Sequence, residues 1–142
     1  MTETTHDAWP LTGIYGTSYK QRMNAFQEGL WERLDTVPTL DPQTRDAVLQ
    51  YLLELACQSG NIANISLGRM ALLALPRQWV LGTIERTAEA LLDWEDDWEY
   101  RRLLELYQLL DQTLVHHLVA RGLTNSNRAV RETAQEWAES TR

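Results

Sequence analysis

At 142 residues with 44% hydrophobic content, the chain has the length of one ordinary domain and enough apolar surface to offset the conformational entropy lost on folding. Thirteen basic against twenty acidic residues leave a net charge of −7, which repels phosphate backbones and argues against nucleic acid as a partner. The single cysteine, Cys57 in LELAC, excludes an intrachain disulfide and fits a reducing, cytoplasmic setting. With no signal-like start and no 18-residue uncharged apolar run, no membrane association is expected.

Residues 1–16 carry Pro10, Gly13 and Gly16 without helical periodicity and are expected to form an N-terminal arm, with Trp9, Leu11, Ile14 and Tyr15 lying on the body. From Thr17 to Leu34, Tyr19, Met23, Phe26, Leu30 and Leu34 recur every three or four residues, which predicts a first helix. Asp41 followed by Pro42 is a strong start for a second helix running to about Ser59, because proline presets φ and lacks only an N–H that has no partner there. A third helix, IANISLGRMALLAL, is apolar nearly all round apart from Arg69, so a central, well-covered position is expected. A fourth runs from Pro76 through Trp79, Ile84 and Ala88 to Leu91, and a fifth carries Tyr100, Leu103, Leu104, Tyr107 and Leu110 on one stripe. Leu114–Ala120 predicts a short sixth helix closed by Gly122. The seventh is capped by Asn125 or Ser126, with Val130, Ala134, Trp137 and Ala138 inward.

Arg69, Arg101 and Arg131 recur at separations of 32 and 30, each followed by small or apolar residues three and six positions on. That is a repeat of about thirty residues, with helix two pairing with three, four with five and six with seven. Over residues 41–140 the chain resembles the HEAT-like helical repeats, whose second helices often follow a polar turn and carry an arginine near the start, as in TNSNRAVRETAQEWA. The resemblance implies an all-α, right-handed helical repeat of about seven helices that binds other macromolecules, and it brings no catalytic residues. A compact helical bundle is the alternative.

The stretch LLDWEDDWEYRR, residues 91–102, poses the functional question. Asp96 and Glu99 have capping-box spacing, in which Asp96 accepts from the Glu99 N–H and Glu99 reaches back to the Asp96 N–H. Acids beside them favour the positive end of the helix, and Glu99 with Arg102 is spaced for an ion pair. Two tryptophans at such a turn are hard to bury fully. Trp94, Asp96, Asp97, Trp98, Arg101 and Arg102 are therefore the candidate protein-binding residues, and the expected partner is another protein with a basic surface.

Chemistry is less well supported. Glu85, Glu89 and Asp93 lie four apart on helix four, a line that a small all-α metal-dependent phosphohydrolase would use, although a solvated acidic ridge explains it as well. His116 and His117 are adjacent and diverge by about 100° on a helix, so one is expected to pack and the other to face solvent. No P-loop, G-x-S-x-G, G-x-G-x-x-G or H-E-x-x-H occurs. No catalytic residue and no cofactor are expected, and a nucleic-acid reader would have to gather Arg69, Arg101 and Arg131 in one groove.

Overall fold

The computed structural model describes residues 8–140. Among them are seven α-helices and two 3₁₀ segments, with no strand: α1 Gly13–Phe26, 3₁₀ turns at Leu30–Glu32 and Leu34–Thr39, α2 Pro42–Ala56, α3 Ile62–Ala74, α4 Arg77–Leu91, α5 Asp97–Leu110, α6 Gln112–Leu123 and α7 Arg128–Ser140. None is long and apolar enough to cross a membrane.

Helix starts follow local chemistry. The Asp41 carboxylate accepts from the Thr44 N–H at 3.1 Å and from its hydroxyl at 2.8 Å, with Pro42 in the first turn. Asn61 caps α3, Asp96 caps α5 and Asp111 caps α6 in the same way. At α7 the Asn127 side chain accepts from the Ala129 N–H, one residue beyond the expected cap at Asn125 or Ser126.

The first helix departs most from expectation. It begins at Gly13, inside the segment expected as an arm, and ends at Phe26 rather than Leu34. Gly29 takes a left-handed φ of 78°, and the Asn24 side chain captures its N–H at 2.7 Å, so local bonds compete with continued helix. Leu30 is nonetheless fully buried, from a 3₁₀ turn rather than a fourth helical turn. Of the four apolar residues expected on the body, only Leu11 packs there. Trp9, Ile14 and Tyr15 remain 61%, 75% and 45% exposed.

The core runs the length of the molecule, from Tyr19 and Met23 through Leu52, Leu67 and Leu72 to Leu103, Leu104 and Val130. Gly68 lets α3 cross α2 closely, since a Cβ there would lie 2.5 Å from the Ala56 nitrogen. Ile65, Leu67, Ala71 and Leu72 bury α3 on one side, but Ile62 and Leu73 stay exposed, so α3 is less covered than its composition suggests. Gly122 lies inside α6, which continues to Leu123, and packs under the Tyr100 hydroxyl and Ala134. That hydroxyl donates to the Leu118 carbonyl at 2.8 Å, tying α5 to α6. The backbones of α2 and α3, and of α6 and α7, approach closely. Between them, α4 comes nearest to α2 and α5 nearest to α6, instead of the expected close α4–α5 pair.

Candidate binding edge at the α4–α5 turn

The acidic stretch is the joint between α4 and α5. Asp93 accepts from the Glu95 N–H through its side chain and from the Asp96 N–H through its carbonyl, both at 3.0 Å. Asp96 accepts from the Trp98 and Glu99 N–H groups at 2.9 and 3.2 Å. Because the Asp96 N–H is already taken, Glu99 does not close the expected capping box; its carboxylate reaches further back, to the Asp93 N–H at 3.1 Å. The result is a turn in which Asp93, Asp96 and Glu99 all hold backbone donors.

A second turn locks onto the first. Asn125 donates to the Trp94 carbonyl at 2.7 Å, Asn127 to the Glu95 carbonyl at 2.6 Å, and the Ser126 hydroxyl to the Glu95 carboxylate at 2.8 Å. Trp94 belongs to this joint: its indole N–H donates to the Glu89 carbonyl, and the Arg121 guanidinium lies 3.8 Å from its ring centroid. The sequence reading missed Arg121 and the Asn125–Asn127 run. Their signal was their position, about one repeat length beyond Glu89 and Trp94.

Trp98 differs from Trp94. It stands 46% exposed in the first turn of α5, with the guanidinium groups of Arg101 and Arg102 at 5.6 and 5.2 Å from its ring. Both arginines are anchored below it. Arg101 donates to the Thr133 hydroxyl at 3.0 Å, and Arg102 donates to the carbonyls of Gln58 and Ser59 and to Glu105. The expected Glu99–Arg102 pair is therefore not made. Among the described residues the Asp97 side chain has no hydrogen bond or ion pair, and it sits beside Trp98 on the outer rim. Of the six candidate residues, Trp98 and Asp97 face outward, while Trp94, Asp96, Arg101 and Arg102 hold the edge together.

The line of Glu85, Glu89 and Asp93 does not converge. Glu85 meets His117 at 2.9 Å, Glu89 meets Arg121 at 2.8 Å, and Asp93 is turned into the joint. Among the described residues no group of three or more His, Cys, Asp or Glu side chains is placed to hold a metal ion. Both His116 and His117 are exposed, contrary to the expectation that one packs, because Val115 and Leu118 take the inward positions on α6. Tyr107 is buried beside this cluster, where burial first and then the charge of Glu85 push its phenol well above the ordinary range.

The three recurring arginines go to separate partners. Arg69 pairs with Glu105, Arg101 with Thr133, and Arg131 with the carbonyls of Asn125 and Ser126 at 2.9 Å each. Cys57 is buried, and its thiol pKa is pushed up to about 12, chiefly by burial, which keeps it protonated at neutral pH. The chain matches no family model, no curated protein and no solved structure, so the geometry of this edge is what bears on function.

Proposed function

We propose that the chain is a non-catalytic protein-interaction module built on a short right-handed helical repeat of the HEAT-like kind, engaging its partner through the α4–α5 edge. The observation that carries this is Trp98: a large aromatic left half-exposed on a rigid helical turn, braced by two anchored arginines and rimmed by Asp97. Aromatic anchors on pre-organised backbone lose little entropy on binding and dominate interface energetics. The rim acids favour a partner with a basic surface.

The repeat reading is supported by the spacing of contacts between elements. Glu85–His117, Glu89–Arg121 and Arg101–Thr133 are each 32 residues apart, Trp94–Asn125 and Glu95–Ser126 are 31 apart, and Arg69–Glu105 is 36 apart. A recurring offset is what stacked units of one length would produce. Nucleic-acid binding gains no support, since the recurring arginines are held by other partners and the net charge is negative. The phosphohydrolase alternative draws none either, because His117 and Arg121 already engage the carboxylates it needs.

Affinity capture from a lysate of the source cells tests the proposal, with wild type and the Trp98→Ala/Asp97→Lys variant run in parallel. Proteins retained by wild type should be lost from the variant. Equal recovery on both would remove the edge from the binding role.

A further inference from the structure

The α4–α5 joint has a second side. Where the end of α2 meets it, a recess of about 250 Å³ is bounded chiefly by Glu54, Cys57, Leu91, Leu92, Asp96 and Glu99. This is smaller than the roughly 300–1,000 Å³ of small-molecule sites, and it is the scale of a single long side chain. Three carboxylates line it and no cationic side chain does. The arginines closest to it are committed elsewhere: Arg102 to Glu105 and the carbonyls of Gln58 and Ser59, and Arg69 to Glu105.

Two further observations show that the recess lacks a counter-charge. Glu99 has only the Asp93 N–H as a partner, and its carboxyl is held above the ordinary range, mainly by burial and further by the charges of Asp96 and Asp93. Cys57, 2% exposed, borders the same recess, and its thiol has no hydrogen-bond partner among the described residues. The Glu99 charge acts directly on that thiol, which places the two groups together. An apolar wall beside uncompensated carboxylates suits a long cationic side chain, whose methylenes bury while its charge is paired.

We infer that this recess receives a lysine or arginine side chain from the partner, with its stem against Leu91, Leu92 and Cys57 and its charge against Glu54, Asp96 and Glu99. The inference rests on the protein-binding reading above and supplies the partner's chemistry. It also gives the rim acids and Trp98 a common task, because one basic segment can lay its neighbouring residues on Trp98 while a cation enters the recess.

The test is a nuclear magnetic resonance titration of the full chain with the capped tripeptides Ala-Arg-Ala, Ala-Lys-Ala and Ala-norleucine-Ala. The cationic peptides should shift the amides of Cys57, Gln58, Leu92 and Glu99 saturably, and the norleucine peptide should not. Glu54→Gln with Glu99→Gln keeps an acceptor for the Asp93 N–H and should weaken binding about tenfold, the scale of a lost charge-assisted contact. Glu54→Lys, at an exposed position, should abolish binding by placing a cation at the mouth. Shifts that do not saturate, that spread over the whole acidic surface, or that persist unchanged in both variants overturn the inference. The lysate capture separates the two readings. Partners lost from Trp98→Ala/Asp97→Lys but kept by Glu54→Gln/Glu99→Gln overturn the recess alone, whereas partners kept by both overturn the edge as well.

Discussion

Two glycines at helical positions offer opposite outcomes for the same substitution. At Gly82 in α4 a Cβ meets nothing within 4 Å. Replacing glycine by alanine inside a helix is then limited to propensity and unfolded-state entropy, a gain of about 0.5–1 kcal/mol. At Gly68 in α3 the same Cβ would sit 2.5 Å from the Ala56 nitrogen, 2.7 Å from the Leu52 carbonyl oxygen and 2.9 Å from the Ala56 Cα. All three are backbone atoms of α2, so no rotamer change relieves the clash, and the two helices must separate. Overpacking of this kind costs about 1–3 kcal/mol or more, which exceeds the propensity gain and leaves a net loss near 2 kcal/mol. Urea unfolding at pH 7 measures both, since a domain of this size is expected to unfold in one step. With slopes of about 1–3 kcal/mol/M, Gly82→Ala should raise the midpoint by roughly 0.5 M and Gly68→Ala should lower it by roughly 1 M. A Gly68→Ala protein as stable as wild type would refute the close α2–α3 crossing and the reasoning built on it.

Three other outcomes follow from buried and capping groups. The Tyr19 hydroxyl is buried without a partner, so Tyr19→Phe should stabilise by about 1 kcal/mol and raise the melting temperature by about 2–4 °C; a lower melting temperature would mean that the hydroxyl is bonded. Cys57, with a thiol pKa pushed up to about 12 by burial, should resist Ellman's reagent at pH 8 until urea unfolds the chain, and labelling in native buffer at the rate of a free thiol would contradict its burial. Its folded pKa lies above the unfolded one, so its contribution to stability is whole below the unfolded value and is lost as pH rises toward about 12. Asp41 is shifted the other way, its carboxyl held below the ordinary range by the hydrogen bonds from the Thr44 hydroxyl and N–H. Its contribution is present at neutral pH and disappears as pH falls through the depressed value. Asp41→Asn keeps a capping oxygen, so its stability deficit against wild type should shrink in strong acid, and a deficit constant from pH 7 downward would sink this account.

How far the chain can be read without coordinates depends on the range of the interaction that decides each feature. Asp41-Pro42 and Asp96 start helices through atoms within three residues of themselves, and both starts were legible. The end of α1 was not, because the apolar spacing of Leu30 and Leu34 continues across a break made by Gly29 and the Asn24 side chain. Composition likewise misjudged the covering of Ile14, Tyr15 and Leu73, since periodicity assigns a face without saying whether another element arrives to bury it. At the candidate edge, the turn and its cap were visible in LLDWEDDWEYRR. The partner of Glu99 was not, because it depended on which acceptor first claimed the Asp96 N–H. Nor was the different standing of Trp94 and Trp98, which is set by Arg121 from a helix distant in sequence.

The interlocking of the 92–96 and 125–127 turns bears on how the molecule would open. Three bonds from Asn125, Ser126 and Asn127 end on Trp94 and Glu95, so α7 cannot fray at its start without loosening the entry to α5. The two turns should then exchange their amide hydrogens as one cooperative unit rather than as independent loops. A ligand that stills the α4–α5 turn would slow exchange thirty residues away, in a helix that it never touches.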